Sequence, residues 1–336
     1  MSSQPRTRLA IGVLLLCLAF VVGLSIGCGS PAPAVAPERV TIPSGASLGV
    51  VADSLEAHGL LGSRSWFQLL ARIRRVDRNL QAGTYEIPRG SNAWKMLTIL
   101  ASGRVVVVRF TVPEGITLLE LAGMVQDELH IPAESVLVAA SDPAARRAVG
   151  VPAPTLEGYL LPETYRLPLA VTARELVHRM GAEFLRQWDP SWDLRLDSLG
   201  WTRHQVMALA SIVEGEARHD EERPVIAAVY ANRLRLMMPL QADPTVQYAL
   251  QLRTGQRKPR LYFRDYETNS PYNTYLHPGL PPGPVNSPGL ASIRAALYPA
   301  QVPYLFFVAR PDGYHIFSRT LAEHNRAIRE VRRRKD

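Results

Sequence analysis

Two stretches of the chain repeat one order of apolar and polar positions. VTIPSGASLGVVADSLEAHGLL begins at Val40 and FTVPEGITLLELAGMVQDELHI begins at Phe110. Each opens on a β-branched or aromatic run, turns at Pro-x-Gly, offers a Ser or Thr cap, and continues with apolar residues at helical spacing. In the second, Thr117 and Glu120 form a capping box, and Leu118, Leu119, Leu121 and Val125 form a buried stripe. Two copies predict an internal duplication of a small unit and not a solenoid, which needs three or more. Between them, LQAGTYEIPRGSNAWKMLTILASGRVVVVRF supplies strand, turn, helix and strand. Gly83 and Gly90 suit turns, and VVVVRF has the β-branched run of a buried strand. The module over residues 39–150 is therefore α+β.

From about Val151 the texture changes. PTLEGYLLPETYRLP, rich in Pro and Tyr, leads into TARELVHRMGAEFLRQW, a helix capped by Thr172 with Glu175 three residues on. WTRHQVMALASIVEGEAR opens with a second box, Thr202 and Gln205. Pro224 suits the first turn of the next helix, with Asp220, Glu221 and Glu222 near its positive end. A long Pro/Gly/Asn segment follows, then YLFFVARPDGYHIFS, a hairpin turning at Pro311-Asp312-Gly313, and a last helix, TLAEHNRAIREVRRR. Residues 151–336 form a second, mixed α+β domain.

The N-terminus is of another kind. Residues 9–28 carry no charge, just enough to cross a ~30 Å hydrocarbon core. Arg6 and Arg8 precede this run, so residues 1–8 are expected in the cytoplasm and the bulk of the chain outside, on the periplasmic side of the inner membrane. LSIGC, ending at Cys28, offers a lipid anchor as the alternative to an uncleaved single-pass helix. Residues 29–38 form a Pro/Ala tether. The only cysteines of the 336 residues, Cys17 and Cys28, both fall here, so the folded part has no disulfide or thiolate metal site. The net charge of +8 suits an acidic partner, whether nucleic acid, anionic lipid or a carboxylate-bearing cell-wall glycan, and the compartment argues against nucleic acid.

No phosphate loop, GxSxG, SxxK or HExxH motif is present, and the histidines are scattered, so neither cofactor nor metal is expected. What stands out is ASIVEGEA, which puts Glu214 and Glu216 at the end of an apolar helix. Ala210, Met207 and Ala217 flank Glu214 along that helix, so desolvation would raise its pKa toward that of a general acid. A pair of solvated carboxylates at a helix end is the alternative. Gln241, Asp243, Thr245, Asn273 and Tyr275 add the residue types of sugar-polymer cleavage, although Asp243-Pro244 also reads as an ordinary turn. His324 and Asn325 read as structural.

Six segments together resemble the YceG-like endolytic murein transglycosylases: EGYLLPETY, ASIVEGEA, VIAAVYANRL, LQADPTVQYAL, SPYNTYLHPGLPPGPVNSPGLASIRAAL and YLFFVARPDGYHIFSRTLAEHNRAI. The resemblance implies a membrane anchor, a LysM-like module and a catalytic domain. It implies cleavage of nascent peptidoglycan between N-acetylmuramic acid and N-acetylglucosamine, leaving 1,6-anhydro ends, with Glu214 as the catalytic acid and then base. It implies glycan-binding or site-shaping roles for Glu157, Tyr159, Tyr165, Glu216, Gln241, Asp243, Thr245, Tyr272, Asn273, Thr274 and Tyr275, and peptidoglycan synthases as partners. A non-catalytic peptidoglycan-binding scaffold and a water-using muramidase are the competing readings. One departure stands out: Gly215 lies between the glutamates where the family often has lysine, and glycine loosens a helix by about 1 kcal/mol relative to alanine.

Overall fold

The computed structural model describes residues 36–43, 45–77 and 80–333. The apolar run 9–28, with Cys28 and most of the tether, lies outside the described residues. Among those described, no helix is long and apolar enough to cross a membrane.

The chain divides into two compact units at Val106/Val107. In the first, β1 (Glu38–Ile42) pairs antiparallel with β2 (Gly83–Ile87), Val40 opposite Tyr85. Helices α1 (Leu48–Ala57) and α2 (Arg64–Ile73) fill the connection, and α3 (Ala93–Ala101) follows. Ser47, Ser63 and Asn92 cap the three helices. Val40, Val51, Leu55, Phe67, Tyr85, Leu97 and Leu100 close a core of their own. Gly90 is a turn residue with φ +78°. Gly83 is not one: it starts β2, and the Val105 side chain occupies the space a Cβ would need.

The second unit begins with β3 (Val107–Thr111), which pairs antiparallel with β4 (Thr164–Pro168), Phe110 opposite Tyr165. VVVVRF is therefore not a buried strand. It forms half of a two-stranded ribbon in which Val107 is half-exposed and Phe110 turns inward. Between the strands run α4 (Leu118–Leu129), α5 (Ala133–Ser141) and α6 (Pro143–Val149). Leu121 and Val125 of α4 join the same core as Tyr159, Phe184 and Leu209. The second copy of the duplicated pattern is thus built into the larger unit, and the expected boundary near residue 150 gives way to one at 106/107.

Helices α7 (Ala173–Gln187), α8 (Pro190–Leu199) and α9 (Arg203–Glu216) come next. All three expected capping boxes form, at Thr117, Thr172 and Thr202. Every residue of α9 from Val206 to Val213 is buried, which makes this helix the centre of the unit. A 3-10 turn (Asp220–Glu222) leads into α10 (Arg223–Arg235), and α11 (Asp243–Thr254) follows. After the Pro-rich segment come α12 (Leu290–Leu297), the hairpin of β5 (Phe306–Ala309) and β6 (His315–Ser318), and α13 (Leu321–Arg333). The hairpin turns at Gly313, φ +88°, as expected.

Candidate active site

The last turn of α9 sends its two glutamates to different surroundings. Helical spacing separates residues two apart by about 200°. Glu214 is held in an ion pair: its Oε1 lies 3.0 Å from Nη1 of Arg223, and its Oε2 accepts the Gly289 N–H at 3.0 Å. Both side chains are nearly out of solvent, 6% exposed for Glu214 and 8% for Arg223. The apolar surroundings expected for Glu214 are thus replaced by a cation and the N-cap amide of α12.

Backbone pairing builds this corner. The 285–289 segment is stitched to α9 through Ser211, whose hydroxyl accepts the Val285 N–H at 3.0 Å and whose carbonyl accepts from Nδ2 of Asn286 at 2.9 Å. On its other side Ser287 exchanges two backbone bonds with the turn before α4, Gly115 N–H to Ser287 C=O and Ser287 N–H to Ile116 C=O. That turn carries Glu114, with Oε2 3.8 Å from Nη2 of Arg223. Burial and the charge of Glu214 raise the Glu114 carboxyl, and Arg223 opposes them. Arg223 is itself fixed by Asp220 (Nε–Oδ1 2.9 Å) and by Ser292 at the start of α12.

Glu216 faces the opposite way, into a cavity of about 250 Å³ lined by Tyr230, Arg233, Gln241, Asp243, Tyr275 and His324. The Tyr230 hydroxyl donates to it at 2.8 Å. Burial pushes its carboxyl up to about 7. Asp243 accepts from Tyr275 at 2.7 Å. Gln241 sits at φ +51° with its N–H on the Thr274 carbonyl. Among the described residues no group of three or more His, Cys, Asp or Glu has the arrangement of a metal site.

Of the residues read from sequence, Glu216, Gln241, Asp243 and Tyr275 meet at this cavity. Thr245 and Thr274 lie beneath it, fully buried, their hydroxyls 2.9 Å apart, and they tie the Gln241 segment to the Tyr275 segment. Asn273 is also buried and braces its own loop through the carbonyls of Tyr266 and Thr268. Tyr272 packs edge-on against Tyr248. These residues shape the site and do not line it. Glu157, Tyr159 and Tyr165, read as glycan-binding or site-shaping, lie buried inside the unit. Glu157 is buried at the N-terminus of α4, where both carboxylate oxygens receive the Leu118 N–H at 3.1 Å, and burial raises it to about 7. Tyr159 is fully buried with its hydroxyl on His204, and Tyr165 donates to the Leu161 carbonyl. No glycan reaches them there.

Arg223 and Glu114 are absent from the sequence-derived set. Arg223 is hidden in an acidic run before a proline. Glu114 has a visible signal: the two duplicated stretches align as TIPSG and TVPEG, so a glutamate stands where the first stretch has Ser44.

The family model of the YceG-like family matches residues 40–330, nearly everything described. The chain belongs to the YceG-like family. Among curated relatives it is 32% identical over 304 residues to an endolytic murein transglycosylase of Bacillus subtilis, covering 86% of this chain and 83% of the relative. It is 30% identical over 320 residues to an endolytic murein transglycosylase of Streptococcus pneumoniae, covering 87% of this chain and 58% of that one. A crystal structure of a YceG-like protein from Listeria monocytogenes is 32% identical, with a TM-score of 0.59 over 86% of this chain and 98% of the other. The described residues thus span a YceG-like fold, and the Glu214 corner and the Glu216 cavity are both part of it.

Gly215, the family departure noted above, has a packing reason. A Cβ there would lie 2.6 Å from Cγ of Pro244, a rigid ring in the first turn of α11 next to Asp243. Gly215→Ala gains about 1 kcal/mol of helix propensity but drives its methyl group into the Pro244 ring at a cost of about 1–3 kcal/mol. The overpacking wins because the proline cannot swing aside. The expected result is a net loss of about 1 kcal/mol in urea unfolding. A gain in stability would show that α11 yields freely.

Proposed function

We propose that this chain is an endolytic murein transglycosylase, cleaving peptidoglycan strands between N-acetylmuramic acid and N-acetylglucosamine with Glu214 as the acid and then the base. The observation that carries the reading is the match over 86% of the chain to a relative of that name. The site supports it, since Glu214 is a nearly buried carboxylate fixed by a cation and a backbone N–H at the end of the central helix. The protonated carboxyl gives its proton to the glycosidic oxygen as the C1–O bond breaks, and the leaving sugar departs with a free 4-hydroxyl. The resulting carboxylate takes the proton of the muramyl 6-hydroxyl, whose oxygen closes on C1. The proton count returns to its start and no water is consumed. Because the nucleophile belongs to the same sugar, proximity supplies much of the rate. The Glu216 cavity, with Gln241, Asp243 and Tyr275, offers amide, carboxylate and phenol groups for hydroxyl or acetamido contacts.

Residues 9–28 anchor the chain in the inner membrane with both units on the periplasmic side, a placement supported by Arg6 and Arg8 before the apolar run. The first unit, two strands with helices between and after, serves as a LysM-like glycan contact. Peptidoglycan synthases are the expected partners, because a strand is accessible to an endolytic enzyme while it is being made.

The test uses the detergent-solubilised full chain on uncrosslinked glycan strands, with mass spectrometry of the new ends. Wild type should produce 1,6-anhydro ends and Glu214→Gln should lower their rate by at least about 10²-fold. Reducing ends would make the protein a muramidase. Strand binding without cleavage would make it a scaffold.

A further inference from the structure

Glu214 and Glu114, on segments far apart in sequence, converge on the same two groups. Arg223 lies 3.0 Å from one carboxylate and 3.8 Å from the other. Gly289 gives its N–H to Glu214, and the space beside its Cα is filled by the carboxyl group of Glu114. The backbone at Gly289, φ −74° and ψ 166°, is ordinary extended chain that any residue adopts. What a Cβ there would meet is the carboxyl group of Glu114. Glu114 is held at this spot by the two backbone bonds between Gly115–Ile116 and Ser287, and by Arg257, whose Nη1 donates to the Gly115 carbonyl at 2.9 Å.

The charges at the corner do not balance. One guanidinium faces two carboxylates, and Asp220, its third partner, is largely solvated. The two carboxylates compete for one cation, and the charge of Glu214 works against that of Glu114. The members differ in access: Glu214 is 6% exposed and Glu114 is 50% exposed.

We propose that Glu114 is the positioning partner of Glu214, the two carboxyl groups competing for Arg223 so that the charge on Glu114 governs how readily Glu214 takes up and delivers the proton that goes to the glycosidic oxygen. The proposal rests on the transglycosylase reading and assigns the site a second carboxylate. In the step, the proton leaves Glu214 for the glycosidic oxygen, the carboxylate falls back on Arg223 and the Gly289 N–H, and the 6-hydroxyl proton restores the acid. Glu114 touches no substrate atom in this scheme. The groups facing it are Glu214 and Arg223, with Asp220 beyond and Arg257 behind.

Removing the neighbouring charge makes the acid form easier to lose. The descending, alkaline limb of the pH–rate profile should therefore move to lower pH. Glu114→Gln in the full chain is expected to shift that limb by about one pH unit, a roughly tenfold loss of kcat on that limb, with KM changed less than about twofold. Gly289→Ala should reproduce the shift without touching either carboxylate, because its methyl group evicts the mobile end of Glu114. An unshifted limb in Glu114→Gln, or a loss carried by KM alone, overturns the pairing. A second readout is independent of turnover: carbon-13 NMR of glutamate-labelled protein across pH. Beyond losing its own signal, Glu114→Gln should move the carboxyl transition of Glu214 to lower pH while those of Glu157 and Glu216 stay in place, and an unmoved Glu214 transition overturns the proposal. If wild type releases no anhydro ends, the transglycosylase reading fails, and the NMR titration still decides the pair.

Discussion

Arg223→Met should destabilise the second unit by about 3–5 kcal/mol, a large share of the ~5–15 kcal/mol that holds a domain folded. The guanidinium is 8% exposed and serves Glu214, Asp220 and Ser292 at once. Methionine fills similar volume but leaves the Glu214 carboxylate buried beside a thioether with one backbone N–H for company. An uncompensated buried charge is among the few single defects of this size. Lysine keeps the charge and loses the fork that reaches Glu214 and Asp220 together, so Arg223→Lys should fall between. The decisive measurement is the double variant. In a Glu214→Gln background no buried anion needs a cation, and Arg223→Met should then cost at least about 2 kcal/mol less, read from urea midpoints of the Trp188, Trp192 and Trp201 fluorescence transition. Additive losses would show that the pair contributes nothing beyond the separate packing of its members.

The second large effect is on pH. Glu157 and Glu216 are both raised from 4.5 to about 7, chiefly by burial. A carboxyl group whose folded value exceeds its unfolded value binds its proton more tightly in the native state. Its stabilising contribution is complete below pH 4.5, declines from there to pH 7, and is gone above. A shift of that size corresponds to about 3 kcal/mol for each group, and local relaxation reduces it. The unit should therefore unfold at higher urea at pH 5 than at pH 8, the reverse of proteins whose carboxylates are salt-bridged. Glu157→Gln should remove about half of the slope and make the protein more stable than wild type at pH 8. An amide keeps an acceptor for the Leu118 N–H and carries no charge to desolvate. Stability that rises between pH 5 and 8 would overturn this account.

Much of the framework was legible in the pattern of residues. Capping boxes at Thr117, Thr172 and Thr202 are local chemistry, decided by side chains three residues apart, and all three form. The Pro-Asp-Gly turn is local as well. The failures lie where a partner distant in sequence decides the outcome. VVVVRF has strand composition, but its burial depends on how many strands flank it, and only β4 does. Neighbours along α9 made Glu214 look desolvated and Glu216 less so. Arg223, which pairs with Glu214, and Tyr230, which donates to Glu216, come from another segment. For the tyrosines of EGYLLPETY the resemblance leaves glycan-binding and site-shaping roles open. Their rings fill the core instead, since a tyrosine hydroxyl that finds His204 or the Leu161 carbonyl can be buried without penalty. Glu114 could have been found by asking where the duplicated stretches differ instead of where they agree.

The pairing of β3 with β4 bears on any attempt to dissect this protein. A fragment trimmed to start at residue 151, where the texture of the sequence changes, keeps Glu214, Arg223 and the Glu216 cavity but discards the strand that covers β4. It would present Thr164–Pro168 as an unprotected edge for intermolecular pairing, with the apolar inner side of Tyr165 and Leu167 uncovered. It would also lack Glu114 and the turn that clamps Ser287. Such a fragment should aggregate, and the shortest piece able to stand alone should start no later than Val107.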